Sequence, residues 1–211
     1  LEGLETLPRR VVSHRGIQVG AFDLDAALAR RPELLLVDEL AHSNAAGSRH
    51  SKRWQDILEL LDSGIDVYTT LNVQHLDSLN DVVAQVTGIT VRETIPDSVF
   101  DQADEIELVD LPVDGLRERM AQGKVYFPGQ AQSAMENFFR PGNLIALREM
   151  ALRRTADRVD AQMRTYRRHH AIQPTWPVTE RLMVSIGPSP FSAKLIRAAK
   201  RLADRLQAEW I

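Results

Sequence analysis

Asp38 and Glu39 close the apolar run Leu34-Leu35-Leu36-Val37 in the stretch LLLVDELAH, and His42 follows three residues later. In nucleotide-binding α/β proteins an acidic pair at the end of such a strand holds Mg²⁺, directly or through water, while the second acid can polarise a nucleophile. The pattern also has an architectural reading. A buried parallel strand is apolar along its length, and its C-terminal end opens into the crevice where α/β proteins hold ligands. Successive side chains on an extended backbone point in nearly opposite directions, so only one of the two acids is expected to face a given ligand. The phosphate loop GxxxxGK[ST] that accompanies such acids occurs nowhere in the chain.

Two neighbouring stretches carry more chemistry. HSNAAGSRHSKRWQDI supplies Asn44, Arg49, His50, Lys52 and Arg53, cations and amides suited to a phosphate or a partner's carboxylate. Thr69-Thr70-Leu71-Asn72-Val73-Gln74-His75 ends the next apolar run. Loops after adjacent parallel strands converge on one sheet edge, which would bring Asp38, Glu39, His42, Asn72, Gln74 and His75 into one crevice. A metal hydrolase built from Asp38, His42, His50 and His75 competes with this reading, but no HExxH-like spacing supports it. Taken singly, each histidine also reads as a hydrogen-bonded loop residue or helix cap.

These residues need a sheet to position them. Strands are expected at 11–19, 34–37, 65–70 and 106–110, with shorter β-like pieces at 89–95. Trp54, Ile57, Leu58 and Leu61 fall at i, i+3, i+4 and i+7 after Ser51, and Gly64 stops the helix they imply. Leu76, Leu79, Val82, Val83 and Val86 imply another that ends at Gly88. Strand, helix, strand predicts parallel pairing with right-handed crossovers. A third helical pattern, Ala131, Ala134, Met135, Phe138 and Phe139, breaks at Arg140-Pro141-Gly142 and reads as core packing. Asn143 is then the expected N-cap of a long helix through Leu144, Leu147, Ala151, Leu152, Thr155, Val159 and Met163.

YRRHHAIQPTWPVTE is basic, then interrupted by proline, and reads as a linker over 166–180. Its Arg167, Arg168, His169 and His170 form a solvated run that could also meet a phosphate or headgroup. Beyond it, 181–187 reads as a strand and 191–207 as an amphipathic helix with Leu195, Ile196, Ala199, Leu202 and Leu206 inward, the start of a second α/β domain.

Composition excludes several classes. Of 211 residues, 44% are hydrophobic and 26% charged, the balance of a globular protein with a core. The net charge of −3 and the isoelectric point near 6.1 argue against a global nucleic-acid surface. Without cysteine there is no disulfide, thiol nucleophile or thiolate metal site. No apolar run approaches the roughly 20 residues of a membrane span, and no signal peptide stands at the start. Leu1 is no initiator methionine and Ala208-Glu209-Trp210-Ile211 reads as an unfinished apolar element, so further chain is expected on both sides.

The run LLLVDELAHSNAAGSRHSKRWQDILELLDSGIDVYTTLNVQHLDSLND, followed in order by VRETIPD, DLP, GKVYFP and NLIALREMALR, resembles the N-terminal cytoplasmic domain of the KdpD family of potassium-responsive sensor histidine kinases, over about residues 15–165. RLMVSIGPSPFSAKLIRAAKRLADRL is similar to the opening strand and helix of the universal-stress-protein-like domain that follows in that family.

The resemblance implies a P-loop-NTPase-like, mostly parallel sheet flanked by helices in a sensor domain over 1–165. A C-terminal helix, the linker and a second α/β domain beginning at 181–211 would follow. It also implies a phosphate loop upstream of Leu1. ATP and Mg²⁺ would bind only with that loop present, Asp38 on the Mg²⁺ side and Glu39 beside it. His42, Asn44, Asn72, Gln74 and His75 match family loops and become cofactor-binding candidates without individual roles. Arg49, His50, Lys52 and Arg53 become anion or partner contacts. Where the stress-protein domain often carries an acidic residue near its adenine site, Gly187-Pro188-Ser189 stands here, so no nucleotide contact is carried over to that point.

The implied function is a regulatory input module of a two-component sensor kinase controlling potassium uptake, in the cytoplasmic portion of a bacterial inner-membrane protein. The phospho-acceptor histidine and the kinase domain of such proteins have no counterpart in this chain. Its partners would be other domains of the same kinase, the cognate response regulator and a nucleotide or signalling protein, with no nucleic acid and with membrane contact only through the full-length protein. Two alternatives stay open: a self-sufficient NTPase or small-molecule kinase using Asp38 and Glu39, and a pure docking module with a vestigial acidic edge.

Overall fold

The computed structural model describes residues 3–14, 17–122, 138–169, 181–206 and 208–211. The architecture is α/β, and the chain divides into two compact units, Leu1–His75 with Glu93–Ile95, and Leu76–Arg92 with Pro96–Ile211.

The first unit opens with an antiparallel hairpin, β1 (Arg10–His14) and β2 (Ile17–Ala21), with Val12 opposite Val19. The single strand expected over 11–19 is therefore two strands paired with each other, so that the backbone groups of each half bond those of the other. Helix α1 (Leu24–Arg30) was not evident from the apolar pattern. It is capped by the Asp23 side chain, which accepts from the Ala26 N–H at 3.0 Å, and it ends at Arg31 in the left-handed region. Strand β3 (Leu34–Val37), helix α2 (Arg53–Asp62) and strand β4 (Asp66–Thr69) follow. At the start of α2, Gln55 Oε1 accepts from the Lys52 N–H. At its end Gly64, at φ 79°, takes a left-handed conformation that favours glycine and turns the chain into β4.

β3 and β4 pair in parallel, Leu34 opposite Asp66 through Val37 opposite Thr69, as the strand-helix-strand pattern predicts. Leu24, Ala27, Leu60 and Ile65 form the core, and Leu35 and Val67 pack on it from one face of this pair. The other face is bare: Leu34 is 45%, Leu36 49% and Tyr68 64% exposed. The apolar run is thus buried on one side rather than on both, since among the described residues the parallel pairing here is two strands wide. A 3₁₀ turn, Val73–His75, and the returning segment Glu93–Ile95 complete the unit.

In the second unit the helix expected from Leu76 begins as a 3₁₀ turn, Asp77–Leu79, and becomes α-helical only at α3 (Asn80–Thr87). Its Gly88 cap sits at φ 76° and donates to the Ala84 carbonyl at 2.9 Å. Helices α4 (Asp97–Asp101), α5 (Val113–Ala121) and α6 (Pro141–His169) come next. Asn143 lies inside α6, which starts at Pro141, where a missing N–H costs nothing. Asn143 Nδ2 instead donates to the Phe138 carbonyl at 3.1 Å. α6 also runs on to His169, past the expected start of the linker at Tyr166. The helix expected over Ala131 to Phe139 falls largely on 131–137, and most of the linker on 170–180, both outside the described residues.

No strand forms over 106–110 or 89–95. The alternation is present, but among the described residues no neighbouring strand offers a ladder, and Val109 is 76% exposed. Arg148 of α6 grips Asp110 with two hydrogen bonds of 2.6 Å; between the two stretches, Arg154 pairs with Asp97 and Asp101 and stacks on Phe100, and Arg158 donates to the Ala103 carbonyl.

β5 (Arg181–Leu182), shorter than the strand expected over 181–187, pairs in parallel with β6 (Glu209–Trp210), and α7 (Ser192–Leu206) connects them. On α7 it is Ala199 and Ala203 that are buried, whereas Leu195, Ile196, Leu202 and Leu206 stay exposed, contrary to the inward face expected of them. The reason is polar anchoring. Arg201 forks onto Asp81 at 2.8 and 3.2 Å and reaches the Ser78 carbonyl at 2.7 Å, while Arg197 pairs with Asp77 at 3.3 Å. Among the described residues no helix is long and apolar enough to cross a membrane.

Candidate functional site

The C-terminal ends of β3 and β4 open into a cavity of about 270 Å³ within the first unit, lined by Asp38 to His42, Thr70 to Asn72, His75 and Glu93. Its first wall is built where β3 stops. Val37 is the last paired residue, Asp38 follows, and Glu39 adopts φ 57°, a left-handed conformation that a side chain with a Cβ rarely takes. The break bends the chain at once: Leu40 N–H bonds the Thr70 carbonyl at 2.9 Å and His42 N–H the Glu39 carbonyl at 3.0 Å. Both acids therefore line the cavity, whereas simple strand alternation predicts that only one would.

Thr70 joins the two walls. Its hydroxyl donates to Asp38 Oδ1 and accepts from the Glu39 N–H at 3.0 Å; that N–H also lies 2.9 Å from Asp38 Oδ1. Asp38 is thus oriented through one oxygen, which leaves the other for a ligand. Behind the acids, Arg53 at the start of α2 donates to the Asp38 carbonyl at 2.7 Å and lies 3.8 Å from a Glu39 carboxylate oxygen. Burial pulls the Arg53 pKa down; Glu39, Asp56 and Asp38 oppose it, and the net value lies below the ordinary one.

Glu93 forms the third wall. Its carboxylate accepts from the Ser43 N–H at 2.7 Å, and its carbonyl meets His75 Nδ1 at 2.7 Å. Burial alone would raise the Glu93 pKa, but the Ser43 amide and hydroxyl, with His42 and Lys52, outweigh it and hold the carboxyl below the usual range. Lys52 Nζ in turn donates to Ser43 Oγ at 2.7 Å.

Of the residues singled out by sequence, Asp38, Glu39, His42, Asn72 and His75 share the cavity. Gln74 sits in the same 3₁₀ turn as His75 but outside the lining. Asn44 is turned away, donating to Asp56 Oδ2 at 2.6 Å and to the His50 carbonyl at 3.1 Å. Arg49 pairs with Asp25 and Glu59, and His50 Nε2 lies 2.6 Å from Glu59, so both side chains are engaged by neighbouring carboxylates instead of meeting the acids of the cavity. Thr70 and Glu93 were not singled out. Thr70 had a signal, a hydroxyl at the end of the strand that pairs with β3; Glu93 contacts Ser43 across fifty positions of sequence and had none.

Asp38, Glu39 and Thr70 offer hard oxygen donors of the kind Mg²⁺ takes, with several positions left for water. Among the described residues no three His, Asp or Glu side chains stand close enough to hold a metal ion by themselves, and the lining holds no Lys or Arg to grip a phosphate.

Comparison with known proteins gives a family match over residues 1–159, described as "KdpD: Osmosensitive K+ channel His kinase sensor domain". The chain is 63% identical over 210 residues to the "Sensor protein KdpD" of Escherichia coli (strain K12), covering all of this chain and 24% of that protein. It is 50% identical over 210 residues to the Clostridium acetobutylicum protein of the same name, covering 23% of it, and 48% identical over 209 residues to that of Mycobacterium tuberculosis, covering 24%. The chain thus spans about a quarter of the length of these relatives.

Proposed function

The chain belongs to the KdpD family of osmosensitive K⁺ channel His kinase sensor domains, and from that premise we propose that it is a regulatory input module of a two-component sensor kinase in potassium-uptake control, whose acidic cavity is the Mg²⁺ edge of an ATP site. The observation that carries the reading is the meeting of Asp38, Glu39 and Thr70 at the C-terminal ends of two parallel strands, where such folds hold nucleotides. In this reading Asp38, already oriented by Thr70, takes the hydrated cation through its free oxygen, and Arg53 restrains Glu39 from behind. When bound, ATP would supply the triphosphate and its accompanying cation, which Asp38 would help to hold. The backbone amides and lysine that would cradle it come from a phosphate loop upstream of Leu1, which also explains why the cavity itself is anionic. In this reading the sensor domain runs through α6 to His169, a linker follows, and 181–211 is the start of a stress-protein-like domain. The partners are the remaining domains of the kinase and its response regulator, and the setting is the cytoplasmic side of a bacterial inner membrane.

Calorimetric titration of Mg-ATP into the chain extended upstream through its phosphate loop tests the reading. Saturable binding is expected, weakened roughly tenfold or more by Asp38→Asn, since a charge-assisted contact to the cation contributes about 1.5–3 kcal/mol. Absence of binding, or equal affinity in the variant, overturns it. ATP turnover that disappears in Asp38→Asn would instead identify a self-sufficient NTPase where inorganic phosphate is released, or a small-molecule kinase where ADP forms only with an added acceptor that becomes phosphorylated.

A further inference from the structure

We propose that the outer face of α6 is a self-pairing surface, on which a second copy of this chain lies antiparallel to form a short left-handed coiled coil. Along this 29-residue helix Ile145, Leu152, Val159 and Tyr166 recur at every seventh position, each between 44% and 60% exposed. Ala156, four residues after Leu152 and three before Val159, is exposed as well, and in the sequence Met163 continues the same steps of four and three. An apolar position every 3.5 residues is the spacing that winds one helix around another, whereas a face packed on its own core is broader and follows 3.6. The core-facing side of α6 is a different one. Leu144 and Leu147 are buried, and Arg154 and Arg158 bond Asp101 and the Ala103 carbonyl. Positions 145 and 147 stand about 200° apart around a helix, so the seam points away from the core that α6 already covers.

The charges along the seam select both the occupant and its direction. Glu149 holds the charged position of the seam and pairs with Arg153 at 2.5 Å. A parallel pair in register would set Glu149 against the Glu149 of the second copy, and like charges at that position repel. An antiparallel pair avoids this. With Ala156 level with Val159 of the second copy, Leu152 stands level with Met163 and Glu149 with Tyr166. On the flank of that seam Arg153 stands opposite Asp160, and the two-fold axis repeats the pair as Asp160 opposite Arg153. Sliding the copies by one heptad sets Arg153 against Arg153 in one direction and Asp160 against Asp160 in the other. Of these three registers only the first joins opposite charges, and it does so with the same patch on both copies, as an isologous contact requires.

Sedimentation equilibrium of the 211-residue chain tests the surface. A monomer–dimer equilibrium is expected, weakened tenfold or more by Val159→Asp with the urea midpoint unchanged, because Val159 lies on the exposed face. A chain that stays monomeric up to about 1 mM, or a dimer equally strong in Val159→Asp, overturns the proposal. Should Val159→Asp fold poorly, Asp160→Lys leaves every apolar seam position intact and sets a cation against Arg153; weaker dimerisation is expected, and an unchanged constant overturns the register. Direction is read by cross-linking. The chain has no cysteine, so Ala156→Cys and Val159→Cys each carry a single thiol. On mild oxidation of an equal mixture the two variants are expected to join each other faster than either joins itself. Faster joining of like variants overturns the antiparallel arrangement.

Discussion

Asp56 shows how the residues behind the site bear on stability. It is buried at the start of α2, with the Asn44 amide 2.6 Å from its carboxylate. Burial raises its pKa, and the Asn44 amide, His50 and Arg53 recover only part of that shift. A carboxyl whose folded-state pKa is raised contributes stability that is fully present below its unfolded pKa, about 3.9, and lost as pH rises through the higher folded value. Asp56→Asn keeps an oxygen for Asn44 and removes the titration. Urea denaturation should therefore show a stability at neutral pH equal to or above that of the unsubstituted protein, with a smaller fall as pH rises above about 4. A steeper fall in the variant would contradict the burial argument. Sequence located the carboxylates at the strand end but not their directions, because the left-handed turn at Glu39 depends on the Thr70 hydrogen bonds across the sheet.

At the scale of elements, local pattern was legible wherever one apolar face meets one core. β3, α2 and β4 stand within a residue or two of their expected bounds, and Gly64 ends the helix as expected, but the buried face of α2 is turned: Ile57 is buried as its spacing implies, whereas Leu60 is fully buried and Leu61, expected inward, is exposed. Leu60→Ala, at the fully buried centre of that core, should cost about 2–5 kcal/mol of unfolding free energy, read from the urea midpoint; a cost under about 1 kcal/mol would mean that α2 is not packed as described. The pattern misled over 106–110 for a reason of the same kind. Alternation specifies which face is apolar, but a strand also needs a partner to bond, and among the described residues this stretch is met by the Arg148 guanidinium of α6 at Asp110.

For the whole molecule, long-range contacts were the least legible, since they join residues with no shared local pattern. Arg201 and Asp81 lie 120 positions apart, and neither side chain announces the other. Asp81 is nearly buried while Arg201 is about a quarter exposed, so Arg201→Ala should cost about 2 kcal/mol, below the 3–5 kcal/mol of a fully buried pair. A drop in the urea midpoint with faster amide exchange over 77–87 is the expected readout, and an unchanged midpoint would show that the pair is not stabilising. The excursion of the chain out of the first unit after His75 and back for Glu93–Ile95 has a further consequence. The polypeptide passes between the two units at three places, after His75, after Arg92 and after Ile95. No single protease clip can free one unit from the other, and a gene truncated at either of the first two passages would encode a first unit whose cavity lacks its third wall.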